Sequence, residues 1–385
     1  MMHINRIQSV ENQTGLSLIE LLVALVLSLA VLIALSYVYV AAKQAFRFQE
    51  NTGRMQEDGA YALDLISREM RMAGHGGCAG IGRDASVIPN VYTPGLIWSN
   101  TAASIIQGLN PLEAVLPGDA LITVQPFTPF NTLRGFDTGP NAMFATGNVP
   151  AWSTTSSSIF FAGASGQSAA LSAPMALATS ALTLNTNTFG WAGKNLSLII
   201  SDCTDSSLFN GAVTAVGAGP TAALNVAHGT TDGNGVANFR GSKIYGTSSV
   251  VMTAEWNFFY VATRTGATTP SLFRVRHNGE NRLNAEEVIS NVEAMKIHYG
   301  EANAATPEVV SNWRTTAAAV TDWSRVVAVR VGLMMISSDA NNNTDLPAAT
   351  IKLLGASYTI PTGQTNRSRR EFSTTIVLRN RVAPR

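Results

Sequence analysis

Residues 15–42 read GLSLIELLVALVLSLAVLIALSYVYVAA, and this run decides what kind of molecule the chain can be. From Leu21 to Ala42 no residue carries a formal charge. A helix of 22 such residues is about 33 Å long, the thickness of a bilayer's hydrocarbon core. Arg6 precedes the run and Lys43 follows it, too little asymmetry to set an orientation by charge alone. A secretory signal has a shorter apolar region that ends in small residues at its cleavage site. Here the apolar segment is longer and starts directly after Gly15. A plain membrane anchor explains the length but not Glu20, because a carboxylate near the start of a spanning helix is costly unless it has a partner.

Downstream the pattern becomes amphipathic. Phe46 and Met55 are followed by Leu63, Ile66, Met70 and Ala73, whose i, i+3, i+7, i+10 spacing is one stripe of a 3.6-residue helix. Arg54, Glu57, Asp58, Asp64, Arg68, Glu69 and Arg71 fall mostly on other faces. The first proline after the run is Pro89, and Gly74-His75-Gly76-Gly77 is a stop signal. The reading predicts one helix from Leu16 to Ala73, 58 residues and about 87 Å. Gly53 and Gly59 are weak helix formers within it. They read as tolerated surface glycines, with local unwinding as the functional alternative.

The remainder, from about residue 76, is rich in Ala, Gly, Ser, Thr and Asn. Strand candidates are residues 120–124, 158–162, 196–201, 250–262, 271–277, 294–299, 326–337 and 372–378. Residues 163–172 and 211–235 read as polar loops between them. Trp256, Phe258 and Tyr260 alternate with Asn257, Phe259 and Val261, so both faces are apolar and a central strand is expected. Arg274 and Arg276 alternate with Phe273 and Val275, which reads as one wet face. The fold class is therefore α+β: a long N-terminal helix packed on a large β-rich head. Residues 1–15 form a polar leader, 16–75 the spine and 76–385 the head.

Composition and motifs narrow the function. Charged residues are only 13% of the chain and the net charge is +1, which points away from nucleic acid and from polybasic membrane binding. No P-loop, Gly-x-Gly-x-x-Gly or His-Glu-x-x-His occurs, and Gly163-Ala164-Ser165-Gly166 lacks the spacing of a nucleophile elbow. His75, His228, His277 and His298 are scattered and read as ordinary loop or strand residues. No enzyme and no cofactor is expected. Outside the cytoplasm, the simplest use of Cys78 and Cys203 is one disulfide closing roughly 125 residues. Asp339, Asn341, Asn343 and Asp345 alternate as oxygen ligands for calcium would. The Gly and Glu of an EF-hand are missing at Thr344 and Thr350, so a polar turn is the first reading. Arg367, Arg369 and Arg370 read as a solvated loop.

The segment Gly15-Leu16-Ser17-Leu18-Ile19-Glu20 resembles the prepilin cleavage motif, although that family most often has Phe where Leu16 stands. The resemblance implies that a prepilin peptidase cuts after Gly15 and methylates the amino group of Leu16. It also implies that Glu20 neutralises that amine between neighbouring subunits. Further patches resemble PilW-type minor pilins of the type IV pilus: residues 63–74 ahead of Gly77-Cys78, Ser201-Asp202-Cys203, residues 291–300, residues 323–337 and residues 370–381. What this implies is a low-copy subunit in the inner membrane, its head in the periplasm, that joins other minor pilins and the major pilin. Such a subunit primes assembly and sits at the fibre tip. A type II secretion pseudopilin shares the N-terminus, and a tip adhesin would carry a binding head on the same stem.

Overall fold

The computed structural model describes residues 17–77, 95–96, 132–137, 153, 155–186, 188–203, 206–219, 222–232, 234, 237–239, 242–277, 284–338, 351–360 and 366–381. One helix, α1, runs from Leu18 to Met70, 53 residues where 58 were expected. Residues 71–74 leave it as a turn, and Gly74 takes a φ of +76° that an L side chain resists. Contacts divide the chain into two compact units, one up to Arg54 and one from Met55 to Arg385. The last turns of α1 thus belong to the β-rich unit.

Sixteen strands follow among the described residues: β1 (Gly95–Leu96), β2 (Leu133–Phe136), β3 (Ser158–Ala170), β4 (Leu182–Leu184), β5 (Asn195–Ser201), β6 (Ser206–Val216), β7 (Ala223–Ala227) and β8 (Val250–Ala262). They continue as β9 (Ser271–His277), β10 (Asn284–Ser290), β11 (Val292–Ala302), β12 (Val310–Arg314), β13 (Val326–Ile336), β14 (Ile351–Leu353), β15 (Ala356–Tyr358) and β16 (Arg369–Val377). Ten form one sheet, built around the antiparallel pair β3–β8. On the other edge of β8, residues 256–262 pair with β9 and residues 250–253 pair with β5. Two sub-sheets therefore share one long ribbon: β9 and β10 extend it one way, β5, β6, β7 and β4 the other. A second sheet has the order β12-β11-β13-β16, and β14–β15 form a hairpin.

Side-chain alternation explains the cores. Along β8, Phe259 and Val261 join Phe161 and Leu272 in the cluster that holds the buried end of α1, while Phe258 and Tyr260 join Phe160 and Phe273 in a second. This two-faced burial is what the alternation of aromatic residues predicted. Residues 163–172 are not a loop. β3 continues to Ala170 across a bulge in which Ser165, Gly166 and Gln167 oppose Thr253. Residues 211–235 are likewise not one loop, since they hold the end of β6 and all of β7. Small residues carried these strands, and β-branched enrichment is a poor guide where Ala, Gly and Ser sit between apolar anchors. The expected strand at 120–124 lies outside the described residues.

Candidate functional site

Two stretches of α1 carry the functional reading, one in each unit. At the start of the helix, the Ser17 backbone N–H donates to Glu20 Oε2 at 3.0 Å and the Glu20 N–H donates to Ser17 Oγ at 3.3 Å. This reciprocal pair is a capping box, which satisfies two amides that the first turn leaves without partners. Glu20 thus has a local partner that the sequence reading missed, although Ser-x-x-Glu ahead of an apolar run is its signature. The pair engages Oε2, and Oε1 has no hydrogen bond among the described residues. Gly15 and Leu16 lie outside the described residues.

From Leu18 to Val40 every large apolar side chain is more than half exposed. The serine hydroxyls Ser28 Oγ and Ser36 Oγ bond back to the helix itself, to the Leu25 carbonyl at 2.9 Å and to the Leu32 carbonyl at 2.8 Å. A helix that is apolar on all sides, with these serine hydroxyls already bonded, suits a solvent without hydrogen-bonding capacity. By length and composition it can cross a membrane.

The other stretch behaves differently. Met55, Leu63, Ile66, Met70 and Ala73 are buried, as the stripe predicted, together with Ala62 and Leu65. Phe46 is exposed. They meet Met295, Ile297, Val329, Val331 and Leu333 of the four-stranded sheet and Phe161 and Phe259 of the large one. Gly59 corrects the surface-glycine reading. It is buried, and a Cβ there would lie 2.6 Å from the ring of Phe372 on β16. Gly53 has open space around it. The missing side chain at 59 is what lets β16 approach the helix.

Polar contacts lock the helix exit. Arg274 pairs with Glu69 of α1 and with Glu286 of β10, and its side chain is 14% exposed, so it lies against the helix and not in the wet face expected for it. Arg276 Nη2 reaches Glu255 Oε2 at 3.0 Å. Burial pushes the Glu69 carboxyl above its ordinary pKa; Arg274, Arg276 and Arg68 pull it down, and Glu286 adds to the rise. Beyond the turn, the Gly74 N–H donates to the Ala162 carbonyl at 2.9 Å and the Ala164 N–H to the His75 carbonyl at 2.6 Å. The chain leaving the helix therefore adds to the edge of β3. Burial lowers the pKa of His75 there. Near the C-terminus, Asn380 Nδ2 donates to the Arg71 carbonyl at 2.9 Å, capping the helix end.

Of the arginines read as a solvated loop, Arg370 is exposed and lies over the Phe372 ring, while Arg367 and Arg369 are integral to the head. Arg369 makes a two-pronged pair with Glu293 at 2.7 Å, with side chains 5% and 2% exposed, and Arg367 Nη1 donates to the Ser337 carbonyl at 2.7 Å. Cys203 sits in the bend after β5 and is not a free residue. Cys78 lies outside the described residues, as do Asp339, Asn341, Asn343 and Asp345. His75 at the helix exit, His228 among Phe209 and Phe239, and His298 on β11 stand on different elements. The His277 side chain is outside the described residues.

Residues 258–380 match the family model for the type IV pilus-assembly protein W, PilW. The match runs from the middle of β8 to the turn after β16 and so contains the whole four-stranded sheet on which α1 is seated. Among solved structures the chain matches a type IV-like pilin, TTHA1219 from Thermus thermophilus. The identity is 13%, over 49% of this chain and 86% of that one, and the TM-score is 0.22, too low to equate their elements. No curated protein sequence matches the chain.

Proposed function

We propose that this chain is a minor pilin of a type IV pilus, which primes assembly and sits at the fibre tip. The observation that carries the proposal is the change in character along α1. Its first part is apolar and exposed on every side, and its last part is a buried stripe in a head whose β8–β16 segment matches the pilus-assembly family. Residues 1–15 are the leader, 16–75 the spine and 76–385 the head. The prepilin peptidase cleaves after Gly15 on the cytoplasmic side and methylates Leu16. The spine stays in the inner membrane with the head in the periplasm until the subunit joins other minor pilins and the major pilin. The role is structural and no catalysis is involved.

Glu20 has a defined task in this scheme. The capping box fixes its carboxylate at the helix start through Oε2, and Oε1 accepts from the Leu16 amine of a neighbouring subunit. Two opposite charges in an apolar setting neutralise one another and set the axial stagger. A Cys78–Cys203 bridge ties the helix exit to the head. It is supported by the approach of Gly77, where a Cβ would lie 2.5 Å from Ser201 Cβ, one residue from Cys78 and two from Cys203.

The test is Glu20→Ala in the native host, followed in membranes and in sheared fibres. The expected result is a processed, membrane-held protein that is absent from fibres, and fewer fibres per cell. Normal incorporation would contradict the pairing. Intact fibres with a loss of protein secretion would move the chain to the pseudopilus of type II secretion.

A further inference from the structure

The outer face of the four-stranded sheet carries a set of donors that the pilus reading does not use. Ile297 and Tyr299 of β11 point into the core, so Lys296 and His298 share the opposite face. The ladder places His298 opposite Arg330 of β13, Arg330 opposite Thr375 of β16, and Trp313 of β12 opposite Gly300. Arg330 is held from two sides. Its guanidinium carbon lies 4.6 Å from the centre of the Trp313 ring, and its Nε donates to Thr375 Oγ1 at 3.2 Å. Its two terminal amino groups make no hydrogen bond among the described residues, and Lys296 makes none either. His298 is 7% exposed, with a buried Nε2 that has no partner.

Among the described residues no carboxylate is paired with these groups. Glu371 of β16 lies four positions from Thr375, about 13 Å, and accepts from the Leu354 N–H at 2.9 Å, while Glu293 is held by Arg369 at 2.7 Å. Arg314 of β12 is engaged with Glu301 at 2.7 Å. Positive charges facing one another across a ladder are unfavourable, and a guanidinium fixed with a free edge is suited to two oxygens of one oxyanion.

We propose that Arg330, Lys296 and His298 form a binding site for an oxyanion, a carboxylate or sulfate, with Trp313 and Thr375 positioning the guanidinium. The anion takes two hydrogen bonds from the free edge of Arg330 and its charge is balanced by Lys296. Filling the site relieves the field on His298, whose pKa is lowered by burial first and then by Lys296 and Arg330. Binding and protonation of His298 are therefore linked, each favouring the other. The site does not depend on the pilus reading. Its anion comes either from solution or from an acidic side chain on a neighbouring subunit.

The test uses the full chain in detergent with its histidines isotopically labelled, and His298 assigned by loss of its signal in His298→Gln. Sodium sulfate is titrated against sodium chloride at constant ionic strength, and a Glu-rich peptide is titrated separately. The expected result is saturable binding that raises the pKa of His298 by about one unit, a tenfold change in its protonation equilibrium. Arg330→Gln should weaken binding at least tenfold. Should that variant fail to fold, Lys296→Gln serves in its place, because its side chain makes no hydrogen bond or ion pair among the described residues. Tight sulfate binding with a weak peptide assigns the site to a free oxyanion; the reverse assigns it to protein carboxylates. No shift beyond that produced by chloride, or unchanged binding in the variants, overturns the proposal.

Discussion

The two stretches of α1 share one backbone geometry and have opposite environments. Between Leu18 and Val40 the apolar side chains are exposed all round, whereas between Met55 and Met70 they form a stripe sealed in the head. The difference shows that helix formation itself carries no information about solvent. Which faces are apolar does. An apolar side chain on the first stretch finds its low-energy surroundings only in lipid or in other helices, and one on the second finds them in its own chain.

Substitutions should therefore divide by stretch. The largest effect is expected on the outer face of the four-stranded sheet and not in the helix. Arg369→Ala leaves Glu293 buried and unpaired, and should cost about 3–5 kcal/mol in unfolding of the head by denaturant. A loss below 1 kcal/mol would mean that water reaches the pair. Ile66→Ala, at a fully buried position, should cost about 2–5 kcal/mol, while Leu27→Ala should leave the unfolding of the detergent-solubilised head unchanged. Equal effects of the two would erase the distinction between the stretches. Gly59→Ala should cost about 1–3 kcal/mol by forcing Phe372 away, against a slight gain for Gly53→Ala, where space is open. Thermal unfolding of the two variants side by side reads the contrast directly.

The smallest effect is that of pH, and again it belongs to the seated end. Burial depresses the pKa of His75 from its ordinary 6.5, so its folded form favours the neutral ring. Stability from this source is complete above 6.5 and is lost as pH falls below it toward the folded pKa. His298 acts in the same direction. The unfolding midpoint of the head should drop on going from pH 7 to pH 5 (about two units around the ordinary histidine value), and His75→Gln should reduce that slope.

Much of this contrast could be read from the chain. The uncharged run, the stripe of Leu63, Ile66 and Met70, the glycine stop at Gly74 and the two-faced strand β8 all rest on periodicity, which local sequence carries. Gly59, Arg274 and Arg369 could not be read in this way. A glycine in a helix, an arginine in an alternating strand and an arginine in a basic triplet each have an exposed reading by default. Only Phe372, Glu69 and Glu293 reverse it, and these lie far away in sequence. The Ser17–Glu20 cap was legible by its spacing but was obscured by the question of what Glu20 does between subunits.

The measurement that reaches the central claim most directly is intact mass and N-terminal sequencing of the membrane-extracted protein, from cells with and without the prepilin peptidase. The account predicts a chain that begins at methylated Leu16 only when the peptidase is present, with α1 intact. A chain that keeps residues 1–15 in both strains, or one cut near Ala42 by an ordinary signal peptidase, would contradict it.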